Sequence, residues 1–152
     1  MARSTARAAV MQMIYERLGG GEGGEDTLQM VYNEFREEQN GENAPAVSDD
    51  DPKGSDRDYI DRVLNGVLTH LDELDRAIEA NARDRSVDQM NKVDLAILRL
   101  AAWEILHEDD IPARVTINEA VELANRYSDP DRSSRFVNGV LGGLLRSTEA
   151  AR

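Results

Sequence analysis

Residues 93–106 constrain the fold more than any other part of the chain. Eleven of these fourteen residues are apolar, and the run contains neither glycine nor proline. It is rich in strong helix formers, and it is preceded by Asn91, a residue suited to cap a helix. Apolar side chains point in nearly every direction around such a helix instead of forming one stripe, so other helices must cover it. The sequence therefore predicts a buried central helix.

Three charged residues interrupt this apolar run. Asp94 lies in the first turn, where an acidic side chain is favoured by the helix dipole. Arg99 and Glu104 are expected to emerge between the covering helices or to pair with them.

Six further segments have apolar residues at spacings of three and four, which predicts helices. Two of them are preceded by capping-box sequences that begin at Ser55 and Thr116. The helices are expected at about 5–18, 25–39, 56–70, 71–82, 117–127 and from 134 onward. Seven helices and no convincing strand predict an all-α fold.

Two segments are predicted to connect helices. The glycine-rich run at 19–24 lacks the Gly-Lys-Ser/Thr of a phosphate-binding loop, so it is expected to be a flexible connector. Residues 40–54 form an acidic insertion with three adjacent aspartates at 49–51. These aspartates could attract a divalent cation, but they lack the spacing of a calcium loop, which favours a solvated, flexible loop.

The charge is distributed unevenly along the chain. The net charge is −12, yet residues 21–110 carry 24 acidic and 9 basic side chains, a net charge of −15. Residues 1–20 carry +2 and residues 111–152 carry +1. The acidic middle would repel phosphate, so only the two ends are expected to meet an anion.

Catalytic, metal-binding and membrane-spanning segments are not predicted. His70 and His107 belong to no ligand pair, the chain has no cysteine, and no nucleophile elbow is present. No apolar segment reaches the roughly 20 residues that cross a bilayer. We therefore expect a soluble, cytoplasmic protein that is not an enzyme and has no cofactor, metal or membrane contact.

Arginine and tyrosine side chains in the first helix form a candidate binding surface. Arg7, Met11 and Tyr15 share one side of this helix, and Arg3 lies at its start. Taken alone, the two arginines are better interpreted as ordinary solvated surface residues.

Several sequence motifs, in this order and spacing, resemble the NusB family of bacterial transcription antitermination factors. They include Ile-Leu-Arg-Leu-Ala at 97–101, Ile-Asn-Glu-Ala-Val-Glu-Leu-Ala at 117–124 and Phe-Val-Asn-Gly-Val-Leu at 136–141. Glu104, Ile111-Pro112 and Val115 also match, as do Ala6-Arg7, Ala9, Gln12 and Tyr15 in the first helix. The likeness is dense over 91–145, fair over 1–18 and 55–80, and absent from 19–54.

The resemblance implies one helical domain over 1–152, built as two small packed three-helix bundles around the buried central helix. It also implies binding to boxA RNA, a single-stranded element of ribosomal RNA leader transcripts, as a complex with the ribosomal protein NusE. That complex joins RNA polymerase and other Nus factors. The sequence does not decide whether the chain also forms a homodimer. The RNA contacts of the family correspond here to Arg3, Arg7, Tyr15, Arg132 and Arg135.

The chain departs from the family pattern at both ends. Only Arg3 and Arg7 stand where the family often has a denser basic cluster, so RNA binding without NusE is expected to be weak. Arg132 replaces a commonly acidic residue, and it could attract phosphate or merely balance Asp129 and Asp131. The alternative function is therefore a protein-only adaptor that keeps the fold and binds little RNA, which the acidic middle favours.

Overall fold

The computed structural model describes residues 2–41, 52 and 54–151, and these contain helices but no strand. The predicted all-α class is confirmed. Of the predicted acidic insertion at 40–54, residues 42–51 and 53 lie outside the described residues. The elements are α1 (Ala2–Leu18), α2 (Glu25–Asn40), α3 (Gly54–Thr69), α4 (Leu71–Ala80), a 3-10 helix (Val87–Gln89), α5 (Lys92–His107), α6 (Ala113–Tyr127) and α7 (Arg132–Ala151).

The helices form two compact units, Met1–Asn65 and Gly66–Arg152. In the first unit α1 packs against α2, and α3 contributes the fully buried Tyr59 and Val63. The second unit contains the end of α3 and all later helices. A single domain over 1–152 stays a prediction.

The predicted central helix is α5, which begins at Lys92. Its N-cap is Asn91, whose side-chain oxygen accepts hydrogen bonds from the backbone N–H groups of Val93 at 2.8 Å and Asp94 at 3.3 Å. The helix contacts α4, α6 and α7, and Leu98 within it is completely buried. The prediction of a covered core helix is therefore confirmed for the second unit.

Two charged residues of α5 find partners on the covering helices, as expected. Arg99 donates two hydrogen bonds to the carboxylate of Asp75 on α4, at 2.8 and 2.9 Å. The buried carboxylate of Glu104 accepts a 2.7 Å hydrogen bond from the hydroxyl of Thr116 on α6. These polar contacts satisfy charges that the surrounding apolar side chains cannot solvate.

The capping roles predicted for Ser55 and Thr116 are wrong. Helix α6 begins at Ala113, with Pro112 in the capping position, and Thr116 lies inside its first turns. The fixed φ of proline suits a helix start, while the Thr116 hydroxyl bonds to Glu104 instead of capping the backbone. Helix α3 begins at Gly54, so Ser55 lies within the helix.

The glycine-rich connector makes specific contacts with α1. Gly23 has a φ of +49°, and an added Cβ would lie 2.6 Å from the carbonyl oxygen of Met13. The guanidinium Nε of Arg17 donates a 2.9 Å hydrogen bond to the carbonyl of Gly23. Only glycine accommodates both the backbone conformation and the close approach at this position.

Candidate nucleic-acid interface

Arg3, the first of the predicted contact residues, lies in the opening turn of α1. Its Nε donates a 3.1 Å hydrogen bond to the carboxylate of Asp56 on α3, and its guanidinium lies 4.6 Å from the centre of the Tyr59 ring. The side chain remains 35% exposed. Arg3 therefore already has an anionic partner, with which a phosphate would have to compete.

Arg7 lies one turn later and is only 5% exposed. Its guanidinium lies 5.7 Å from the centre of the same Tyr59 ring, so α3 covers it from the side. Arg7 is therefore neither a solvated surface residue nor freely accessible to RNA. The charge pattern of the sequence did not indicate this burial, because a lone arginine is usually exposed.

Tyr15 lies two turns after Arg7 on α1, and 42% of its surface is exposed. The neighbouring Met11 is buried, so the helix face that carries these residues leaves the core between Met11 and Tyr15. An exposed aromatic ring provides a flat surface on which an unpaired base can stack.

The second group of predicted residues follows the turn between α6 and α7. The carboxylate of Asp129 accepts hydrogen bonds from the backbone N–H groups of Asp131 at 3.0 Å and Arg132 at 3.2 Å. The hydrogen bond from Arg132, and after it the one from Asp131, lowers the pKa of Asp129. The charges of Arg132 and Arg135 act in the same direction. The charged carboxylate thereby fixes the start of α7.

Arg132 and Arg135 both lie exposed on the first turn of α7. Within the described parts of the chain, neither makes an ion pair. Their guanidinium groups are thus available to an external anion, and planar guanidinium matches phosphate geometry well.

A buried hydrogen-bond cluster, which the sequence reasoning missed, holds this turn against α5. Asp94 is 5% exposed, and its two carboxylate oxygens accept hydrogen bonds from the hydroxyls of Ser128 at 2.7 Å and Ser133 at 2.9 Å. The two hydroxyl oxygens lie 2.8 Å apart. The sequence signal for this cluster is an aspartate in an otherwise apolar helix, a position that the helix dipole alone does not explain.

The predicted residues therefore lie in two groups. Arg3 and Arg7 both approach Tyr59 in the first unit, whereas Arg132 and Arg135 share the first turn of α7 in the second. One basic patch that contains all four arginines stays a prediction.

The two histidines have structural neighbours rather than metal-ligand partners. Their ring centres lie 5.8 Å apart, and Trp103 stacks on His107 at 4.2 Å. Throughout the described ranges, no group of three or more His, Cys, Asp or Glu side chains could hold a metal ion. The same ranges contain no helix with the length and apolar character needed to cross a membrane.

Comparisons with known proteins identify the relatives of this chain. The NusB family model matches residues 4–146. The chain is 35% identical over 145 residues to the transcription antitermination protein NusB of Clostridium botulinum (strain Loch Maree / Type A3), covering 95% of this chain and 100% of that protein.

Solved structures give the same result. T. maritima NusB matches with a TM-score of 0.72 and 28% identity, covering 95% of this chain and 90% of that chain. A structure of antitermination factors NusB and NusE in complex with double-stranded RNA matches with a TM-score of 0.71, covering 96% of this chain and 97% of that chain. Its 22% identity supports the fold alone. From the family match and the C. botulinum relative together, we conclude that this chain belongs to the NusB family.

Proposed function

We propose that this chain is a transcription antitermination factor that binds the boxA RNA of ribosomal RNA leader transcripts together with NusE. The observation that carries the proposal is the family match over residues 4–146, supported by a relative that is named for antitermination. The chain is not an enzyme, as its sequence predicts. RNA polymerase, other Nus factors and a cytoplasmic location belong to the same proposal.

The surface chemistry of the second unit supports an RNA ligand. Arg132 and Arg135 are exposed without a described carboxylate partner, in a protein whose net charge of −12 offers carboxylates in excess. They also lie in the first turn of α7, where the helix dipole favours an anion, and the backbone N–H of Arg132 itself is already bonded to Asp129.

The first unit offers a different contribution. The exposed ring of Tyr15 is suited to stack on a base, a contact worth about 1–3 kcal/mol in proteins that bind single strands. Arg3 and Arg7 would need to leave their contacts with Asp56 and Tyr59 before they could reach phosphate. This observation favours the alternative, a protein-only adaptor, more than the sequence alone did.

The test is a titration of fluorescent boxA RNA with the chain alone and with NusE, at several salt concentrations. Each phosphate contact with a single strand contributes about −0.7 to the slope of log affinity against log salt. Contacts from all four arginines predict a slope of about −3, whereas contacts from Arg132 and Arg135 alone predict about −1.4. No binding in the presence of NusE would support the adaptor instead.

Two matched pairs of variants locate the surface. Arg135→Glu should weaken RNA binding and flatten the salt slope, whereas Arg76→Glu, at an exposed arginine on α4, should do neither. Tyr15→Ala should weaken binding while Tyr15→Phe, which keeps the ring, should not. NusE binding should persist in all four variants. If Arg135→Glu and Arg76→Glu have equal effects on RNA affinity, the α7 surface is not the RNA site.

A further inference from the structure

A cleft of about 650 Å³ lies in the second unit, between α7 and the loop that follows α4. One wall is formed by residues 79–84, and the other by α7 between Arg135 and Arg146. The cleft thus begins at one of the arginines already assigned to the RNA surface and continues along the helix away from it.

Arginine side chains dominate the charge of this cleft. Arg83, Arg135 and Arg146 line it, and the guanidinium of Arg85 lies 4.5 Å from the centre of the Phe136 ring, which also lines it. All four arginines are exposed, and within the described ranges none of them makes an ion pair.

Two carboxylates share the cleft with these arginines. Glu79 accepts a 2.7 Å hydrogen bond from the backbone N–H of Val87, which ties its charge to the loop. Asp84 is the other acidic residue of the lining. The positive charges outnumber the negative ones, which is the reverse of the balance over the whole chain.

The loop wall is held in place by contacts with α4 and α7. An added Cβ on Gly143 would lie 2.7 Å from the side-chain oxygen of Asn81, so the Asn81 side chain would have to shift if a larger residue stood there. The amide of Asn81 donates a 3.0 Å hydrogen bond to the carbonyl of Ala77. Arg83 and Asp84 then have φ values of +39° and +57°, a region that non-glycine residues rarely adopt.

The dimensions and chemistry of the cleft fit a strand of nucleotides. Arg135 and Arg146 are eleven residues apart on one helix, which corresponds to about 17 Å, or about five nucleotides of a stacked strand. Guanidinium groups bind phosphate and stack on bases, and the stacked pair of Arg85 and Phe136 offers a flat surface beside them. Gly139 leaves open space at the centre of the helix wall.

We propose that this cleft is an additional subsite for single-stranded RNA, which continues the RNA path from the first turn of α7 to Arg146. Arg83 and Arg146 bind phosphates that lie beyond the segment held at Arg132 and Arg135. The inference rests on the proposed function, because it extends the path of the same RNA.

The test compares two RNAs bound by the full chain in complex with NusE. One is boxA RNA, and the other is the same RNA with about five unpaired nucleotides added at each end. This added length matches the distance of about 17 Å between Arg135 and Arg146. The double variant Arg83→Gln/Arg146→Gln should bind the short RNA like the wild type. With the extended RNA its salt slope should be flatter by about 1.4, the contribution of two phosphate contacts. Arg76→Gln on α4 is the matched control and should leave both slopes unchanged.

A second pair of variants tests the same surface without removing any side chain. Gly139→Glu places a negative charge in the open centre of the cleft, and Gly139→Gln places a neutral group of the same size there. The glutamate should weaken binding of the extended RNA at least several-fold more than the glutamine, with equal thermal unfolding of the two proteins.

The outcomes separate this inference from the proposed function. Wild-type protein that binds neither RNA would overturn both. Wild-type protein that binds both RNAs, with no change in the double variant or between the Gly139 pair, would overturn the cleft alone. Weaker NusE binding in the double variant, with an unchanged RNA slope, would instead make the cleft a protein-docking face and also overturn the inference.

Discussion

Replacing Asp94 by alanine tests how the turn before α7 is fixed. In the structure the buried carboxylate accepts one hydrogen bond from Ser128 and one from Ser133. A hydrogen bond to a charged group contributes about 1.5–3 kcal/mol, so the sum of the two is the upper limit of the loss in the free energy of unfolding. The serine hydroxyls, 2.8 Å apart, can still bond to each other, which recovers part of it. We expect Asp94→Ala to lower the free energy of unfolding by about 2–4 kcal/mol.

The only tryptophan, Trp103, lies in the same unit as Asp94, so its fluorescence during a urea titration reports this loss directly. Ser133→Ala should cost less, and the double variant should cost less than the sum of the two single variants, by about 0.5–3 kcal/mol of coupling. Amide exchange at residues 128–134 should accelerate in Asp94→Ala before other parts of the unit are affected.

Two results would refute this reasoning. A cost below about 1 kcal/mol for Asp94→Ala would mean that water or another group replaces the carboxylate without loss. Strict additivity of the single variants would mean that Asp94 and Ser133 do not interact in solution.

Three further predictions concern packing and charge. Leu98→Ala should destabilise the protein by about 2–5 kcal/mol, because it leaves a cavity at a completely buried site; a urea titration showing less than about 1 kcal/mol would contradict this. Gly66→Ala should cost about 1–3 kcal/mol in the same assay despite alanine's higher helix propensity, because the added Cβ would lie 2.3 Å from the Trp103 ring. Arg57→Gln should cost at most about 1 kcal/mol at neutral pH, since it removes an exposed ion pair. The hydrogen bond from Arg57 lowers the pKa of Glu25 below its ordinary 4.5, so this stabilisation is present above that pH and is lost as the pH falls through the lowered pKa. The gap between wild type and Arg57→Gln in thermal unfolding should therefore close in acid, and a gap that persists there would exclude the ion pair as its cause.

The sequence alone determined the helical class and the position of the central helix. An apolar run without glycine or proline has few ways to form its backbone hydrogen bonds and bury its side chains, and a covered helix is one of them. Helix α5 lies within one residue of the predicted bounds at each end. The motifs at 97–101, 117–124 and 136–141 also sufficed to indicate the family by resemblance. The first lies in the central helix itself, and the other two lie in α6 and α7, which pack on it.

Tertiary contacts decided which charged residues can act. Arg3 and Arg7 look alike in the sequence, yet Arg7 is buried over Tyr59 while Arg3 pairs with Asp56 at a partly exposed site. Residue type and helical spacing do not specify which distant side chain will cover a given position. The exposure of an arginine therefore became known only from the packing of α3.

The same limit applies to the α7 surface. Asp94 lies 34 residues before Ser128 in the chain, and the hydrogen bond between them exists only because α5 and the turn before α7 meet. Likewise Arg83 and Arg146 line one cleft because the loop that contains Asn81 packs beside α7. Local sequence encodes the helices, since helix hydrogen bonds join residues four apart, whereas a binding surface depends on contacts between residues that are distant in the chain.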